Sequence, residues 1–194
     1  MGQRSQIYVF ADGILSFARY YRWNYGERMV SRCRGIVEHL KYYSDHNYGF
    51  AIKELKNRNG TEWPRMQAIA DVNFDFRDVQ VGQDIMKEYK EQFSEDYSFD
   101  DFVFYCQDNN DGKLFVNITE KGVSYAFTDD AITEAFDAMG YMEWDVQDYK
   151  QNLSHEDLEI LTQNHKYLTE NATLLSFDDV SHLIDTGGIQ KGRK

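Results

Sequence analysis

The chain contains one proline, two cysteines and no apolar run longer than the five residues Ile7 to Ala11. A single proline beside 13 glycines leaves no low-complexity linker, and nothing recurs at a fixed period, which excludes bead-on-string and solenoid layouts. The short apolar runs fall far below the roughly 18 residues of a membrane helix. No apolar targeting segment follows Met1, and Gln6 stands where an acylation motif beginning Met1-Gly2 wants Ser or Thr, so a cytoplasmic location is expected. Cys33 and Cys106 fall in a predicted helix and a predicted strand, the usage of buried reduced thiols, and no disulfide is expected. His39, His46, His155, His165 and His182 sit in no ligand spacing, and neither cysteine has a partner two to four residues away, so no zinc site is expected. There is also no Gly-x-Ser-x-Gly elbow and no phosphate-cradling glycine loop. Enzymatic chemistry finds no support in the motifs, and no cofactor is expected.

What is present is enough apolar surface for a core: 194 residues, 42% hydrophobic and 15% aromatic. The charge is the informative bulk property, net −12 and unevenly spread. Residues 1–42 carry seven Lys/Arg against three Asp/Glu, whereas residues 67–160 carry six against 23. A field of that strength repels nucleic acid and membrane phosphate over the acidic part and attracts basic partners.

Residues 99–130 read as a three-stranded meander. Aromatic and β-branched runs over 99–107, 113–119 and 123–128 are separated by Asp108 to Gly112 and by Glu120 to Gly122, whose Asn, Asp and Gly accept the dihedrals of tight turns. Ile7 to Phe10 and Ile14 to Tyr21 flank Asp12-Gly13, the signature of a hairpin. Met29, Val30, Cys33, Ile36, Val37, Leu40 and Tyr43 recur at helical steps and predict an amphipathic helix from Tyr25 to Tyr43. Further along, Phe50 to Arg58 reads as a short helix and Asn59 to Pro64 as a loop. The alternation of Val72, Phe74 and Phe76 predicts a half-buried strand over 70–77, and residues 83–93 are helical in spacing. A helix capped by Asp129 or Asp130 and stopped by Gly140, one capped by Ser154 and one capped by Ser176 complete the chain. The expected architecture is α+β: an antiparallel sheet made of the N-terminal hairpin and the meander, packed with amphipathic helices. Residues 1–147 form the core domain in this reading, and residues 148–194 a helical C-terminal extension.

Four constellations merit weighing. Residues 107–118 mimic a calcium loop at Asn109, Asp111 and Gly112, but Gln107 and Ile118 occupy its first and last ligand positions. Asp71, Asp75, Asp111 and the Glu88 to Lys90 stretch supply the residue types of a metal-dependent nuclease without its spacing. The basic and aromatic segment of Arg19, Tyr21, Arg22, Trp23, Arg28 and Arg32 has three readings: a single-stranded RNA surface, a protein-contact surface, or rings in the core with arginines paired to internal acids. The acidic run of Asp96, Asp100, Asp101, Asp108, Asp111, Asp129 and Asp130 is either a solvated face or a rigid mimic of nucleic-acid phosphates.

A resemblance bears on that choice. The strings Gln6-Ile7-Tyr8-Val9, Trp23-Asn24-Tyr25-Gly26-Glu27-Arg28-Met29, Asp71-Val72-Asn73-Phe74-Asp75, Gln107 to Phe115 and Ala138-Met139-Gly140-Tyr141-Met142 resemble small proteins carried on plasmids, integrated elements and phages of Gram-positive bacteria. That set is similar to anti-CRISPR proteins acting on the type II effector nuclease, and the likeness spans about Gln6 to Met142. The resemblance implies an inhibitor working in a bacterial cytoplasm, its partner a CRISPR effector nuclease or the ribonucleoprotein that the effector forms. It carries over no functional residue. The alternative is a protein that binds or cuts guide RNA through the Arg19 to Arg32 segment.

Overall fold

The computed structural model describes residues 3–42, 47–57, 60–87 and 110–186. Its centre is the run Ile7 to Ala11, in β1 (Arg4–Ala11), which turns through Asp12 and Gly13 into β2 (Ile14–Arg22). Both turn residues have positive φ, 54° and 73°, as the expected hairpin turn demands. β1 also pairs with β6 (Lys113–Thr119), which forms a hairpin with β7 (Gly122–Thr128). β5 (Gln83–Asp84) edges the sheet beyond β2, while β8 (Ala135–Phe136) and β9 (Thr173–Leu174) border β7. The first strand expected for the meander, residues 99–107, lies outside the described residues.

The fold is mixed α and β with a mostly antiparallel sheet, and one expectation needs correcting. The two hairpins meet in parallel, Ile7 opposite Leu114 and Val9 opposite Val116; β9 is also parallel to β7. Parallel neighbours need a long crossover, which the chain between β2 and β6 provides. A strand between two others and covered on both faces loses its polar alternation. That is why Ile7-Tyr8-Val9-Phe10-Ala11 is entirely apolar and entirely buried.

Ile7, Val9, Phe17, Leu114, Val116 and Phe127 point to one face, where α1 (Gly26–Tyr42), α2 (Tyr48–Lys56), α3 (Glu62–Asp71), α4 (Ala138–Asp145) and α6 (His155–Asn171) cover them. Between α4 and α6 lies the one-turn α5 (Tyr149–Asn152). Tyr8, Phe10, Phe115 and Ala126 point to the opposite face, against Ile85, Met86 and α7 (Phe177–Thr186). Tyr8 stacks on its cross-strand neighbour Phe115 at 5.2 Å between ring centres. The segment expected as an extension supplies Leu161 and Leu168 to the first cluster and Leu175, Val180, Leu183 and Ile184 to the second. Ser154 caps α6 by accepting from the Asp157 N–H at 3.1 Å, and Ser176 accepts likewise from the Asp179 N–H.

Four local expectations fail for identifiable reasons. Residues 70–77 are not one strand: α3 runs to Asp71, and β3 (Val72–Asn73) reverses through residues 74–77 into β4 (Asp78–Val79). Pro64 lies in the first turn of α3 rather than in a loop, where a missing N–H costs nothing. Asp129 does not open a helix, because its carboxylate closes a turn by accepting from the Thr133 N–H at 2.6 Å and hydroxyl at 2.5 Å. The helix begins eight residues later at α4, capped by Asp137 accepting from the Gly140 N–H at 2.8 Å, so Gly140 lies in the first turn of that helix instead of stopping it. Residues 85–87 begin a helical turn after β5, and the rest of the helix expected there lies outside the described residues.

Candidate functional site

The basic and aromatic segment is resolved into a buried ion network. Arg19 on β2 reaches Asp71 at the end of α3 at 3.2 Å, and the Tyr21 hydroxyl donates to the other oxygen of the same carboxylate at 2.8 Å. The Gly82 N–H donates to Asp71 as well, at 2.9 Å. Arg32 is almost fully enclosed, its side chain 1% exposed. Its Nε donates to Asn24 Oδ1 at 2.9 Å, one terminal nitrogen to the Ala70 carbonyl at 2.7 Å, and the other to Asp78 Oδ1 at 3.2 Å. The guanidinium also lies 4.7 Å from the centre of the Tyr21 ring. Burial pulls the Arg32 pKa down and pushes the Tyr21 phenol up. Arg28 pairs with Asp78 too, from a position one third exposed, and lies over the Phe76 ring. Arg22 and Trp23 remain at the surface, Trp23 60% exposed with φ 58°.

The acidic residues divide in a similar way. Asp96, Asp100, Asp101 and Asp108 lie outside the described residues. Asp111 and Asp129 face inward, a correction to the surface role expected of them. Asp111 accepts from the Arg4 N–H at the start of β1, and Asp129 holds the turn described above. Both carboxylates complete backbone hydrogen bonds that no neighbouring strand supplies. Asp130 is exposed, its carbonyl accepting from the buried Lys113 ammonium.

A second acid, which the sequence offers only as a further member of the acidic run, joins Asp111. Asp145 at the end of α4 accepts from the Gly26 N–H at 2.8 Å and lies 3.1 Å from the buried Tyr141 hydroxyl, which itself is 2.8 Å from the Asp111 carbonyl. The Asp111 and Asp145 carboxyls act on each other in this buried place, and like charges so close favour one of the two holding a proton. Burial, then the charge of Asp111, pushes Asp145 up to about 7, and burial also raises Asp111. The adjoining Gly112, at φ 80°, admits no side chain, since a Cβ would lie 2.2 Å from the Thr128 carbonyl oxygen.

The exposed charge is therefore carried elsewhere. Asp130, Glu134, Glu143, Asp148, Glu156, Glu159, Glu170, Asp178, Asp179 and Asp185 all face solvent along the turn after β7, α4, α6 and α7. Only Lys150 and Lys166 oppose them between residues 129 and 186, and these sit 3.6 Å from Glu143 and 3.9 Å from Glu170. The α6 acids lie on the face opposite Leu161 and Leu168, half a turn out of phase with that buried stripe.

Among the described residues no three His, Cys, Asp or Glu side chains converge on a point that would hold a metal ion, and no helix is long and apolar enough to cross a membrane. Compared with protein-family models, curated proteins and solved structures, the chain matches none.

Proposed function

We propose that the protein is a non-enzymatic inhibitor whose acidic surface occupies a basic, nucleic-acid-binding cleft of another protein. On the strength of the sequence resemblance, the partner is the guide-dependent nuclease of a type II CRISPR system, alone or as its ribonucleoprotein. The observation that carries the reading is the imbalance over residues 129–186, where ten carboxylates face solvent and both lysines lie beside glutamates. These carboxylates are held on helices and a sheet-bound turn, so their spacing is fixed in a way that a disordered acidic tail cannot match. Effector clefts that hold a guide–target duplex are lined with positive charge. The rival reading, guide-RNA binding through the arginine segment, is disfavoured because Arg19, Arg28 and Arg32 are already bound to Asp71 and Asp78.

Replacing Asp130, Glu134, Glu143 and Asp148 together by lysine should cut the association rate with a purified effector about tenfold or more and flatten its salt dependence. Screening reaches only about 10 Å at 0.1 M salt and about 3 Å at 1 M, so the unaltered protein should associate far more slowly at high salt. Glu38 and Glu120, exposed acids outside residues 129–186, serve as the comparison pair. Equal loss from both sets, per charge changed, would assign the effect to net charge and not to a shaped surface. Binding to guide RNA without effector would instead revive the arginine segment through Arg22 and Trp23.

A further inference from the structure

The middle of α1 carries a glycine that the fold does not require. A Cβ added at Gly35 would meet nothing within 4 Å, yet glycine inside a helix is less stable there than alanine. The open space is a groove of about 540 Å³ between α1 and the hairpin of β3 and β4. Two rings edge it, Tyr42 at 64% and Phe74 at 66% exposed, far beyond what either would show if it served the core.

The polar wall of the groove is ordered from below. The buried Ser31 hydroxyl lies 2.6 Å from Asp75 Oδ2, and the fully buried Asn164 of α6 donates to the same oxygen at 2.9 Å. Asp75 takes part in no ion pair among the described residues, so its charge is held in place and unmatched. The other charges on the wall are balanced. Arg34 donates to Asn164 Oδ1 at 2.9 Å, sits 3.6 Å from Glu38 and lies 5.0 Å from the centre of the Tyr167 ring. Burial lowers the His39 pKa, which leaves that ring neutral at neutral pH.

We propose that this groove receives an arginine side chain of a partner protein, its guanidinium on Asp75 and against the exposed rings, its stem lying over Gly35. A guanidinium is the side chain suited to this lining, because it is planar, stacks on aromatic faces and forms paired hydrogen bonds to a carboxylate, whereas an ammonium is compact and strongly hydrated. The inference stands apart from the acidic surface and from the identity of any effector, and it is read on the isolated protein.

The probe is N-acetyl-arginine amide, titrated into the purified full chain while backbone amide shifts are followed by NMR. The expected result is saturable shifts centred on Ser31, Gly35 and Phe74, at least several-fold weaker with N-acetyl-lysine amide and absent with N-acetyl-glutamate amide. Gly35→Ala should raise the melting temperature by about 2–4 °C and weaken arginine binding about tenfold or more. Phe74→Ala, at an exposed rim position, should weaken binding without unfolding the chain. A Gly35→Ala protein that is more stable but binds arginine amide unchanged overturns the proposal. So does one that is less stable, since the glycine would then serve the fold, and so do shifts that fail to distinguish arginine from glutamate amide.

Discussion

Replacing Arg32 by methionine should destabilise the protein by about 3–5 kcal/mol, the range for removing one partner of a buried charge pair. The cost arises from what is left behind. Asn24 Oδ1 and the Ala70 carbonyl lose their donors inside the protein, and Asp78 loses one of its two cations. Methionine fills most of the volume over the Tyr21 ring but satisfies none of these groups. Arg28→Met provides the contrast, because Arg28 binds the same Asp78 while its side chain is 33% exposed. Its loss should cost about 1 kcal/mol or less, as partly solvated pairs do. Chemical denaturation of both variants at pH 7 checks the pair. Losses of similar size would mean that the network is worth only its count of ion pairs, and that burial of Arg32 contributes nothing. If both proteins keep a negligible affinity for RNA while only the Arg32 variant loses stability, the arginines of this segment are internal ties between β2, α1, α3 and β4.

That network explains how far the sequence could be read. The hairpin around Asp12-Gly13, the stripe of α1 and the serine caps of α6 and α7 are local patterns, and each is found where its residues imply. The parallel meeting of β1 and β6 joins residues about a hundred positions apart. No turn or periodicity encodes such a contact; the only trace was an apolar run without alternation at Ile7 to Ala11. Phe74 and Phe76 imitated a strand because a four-residue turn between two-residue strands happens to keep aromatic residues two apart. The partners of the arginines were anticipated as a class, internal acids, but Asp71 and Asp78 could not be chosen from a chain with 33 acidic residues. The same abundance hid Asp145. It reads as one more surface carboxylate on a helix, and only the approach of α4 to the start of α1 buries it beside Asp111.

Asp145→Asn should stabilise the protein above pH 7 and remove a fall in stability that the unaltered chain shows between pH 4 and pH 7. The folded chain holds a proton between Asp145 and Asp111 up to about pH 7, whereas an unfolded carboxyl releases it near its ordinary value of 3.8. Over that interval the folded state binds more protons, so stability declines with rising pH, by up to about 1.4 kcal/mol per pH unit for one proton. The contribution is complete below the unfolded value and gone once the pH has climbed through about 7. Asparagine reproduces the protonated acid: its carbonyl can accept from the Gly26 N–H and the Tyr141 hydroxyl, and its amide can donate to Asp111. The measurement is the difference in unfolding free energy between variant and parent at pH 5, 6, 7 and 8, which cancels every other titrating group. It should grow with pH in favour of asparagine and level off once the parent pair has lost its proton. A difference independent of pH would mean that the two carboxyls do not share a proton, and a variant less stable at pH 8 than at pH 5 relative to its parent would reverse the assignment. The alternative substitution Asp111→Asn offers a second check, since its amide can donate to Asp145 but removes the carboxylate charge that accepts from the Arg4 N–H. It should remove the same pH dependence while giving a smaller gain at pH 8 than Asp145→Asn.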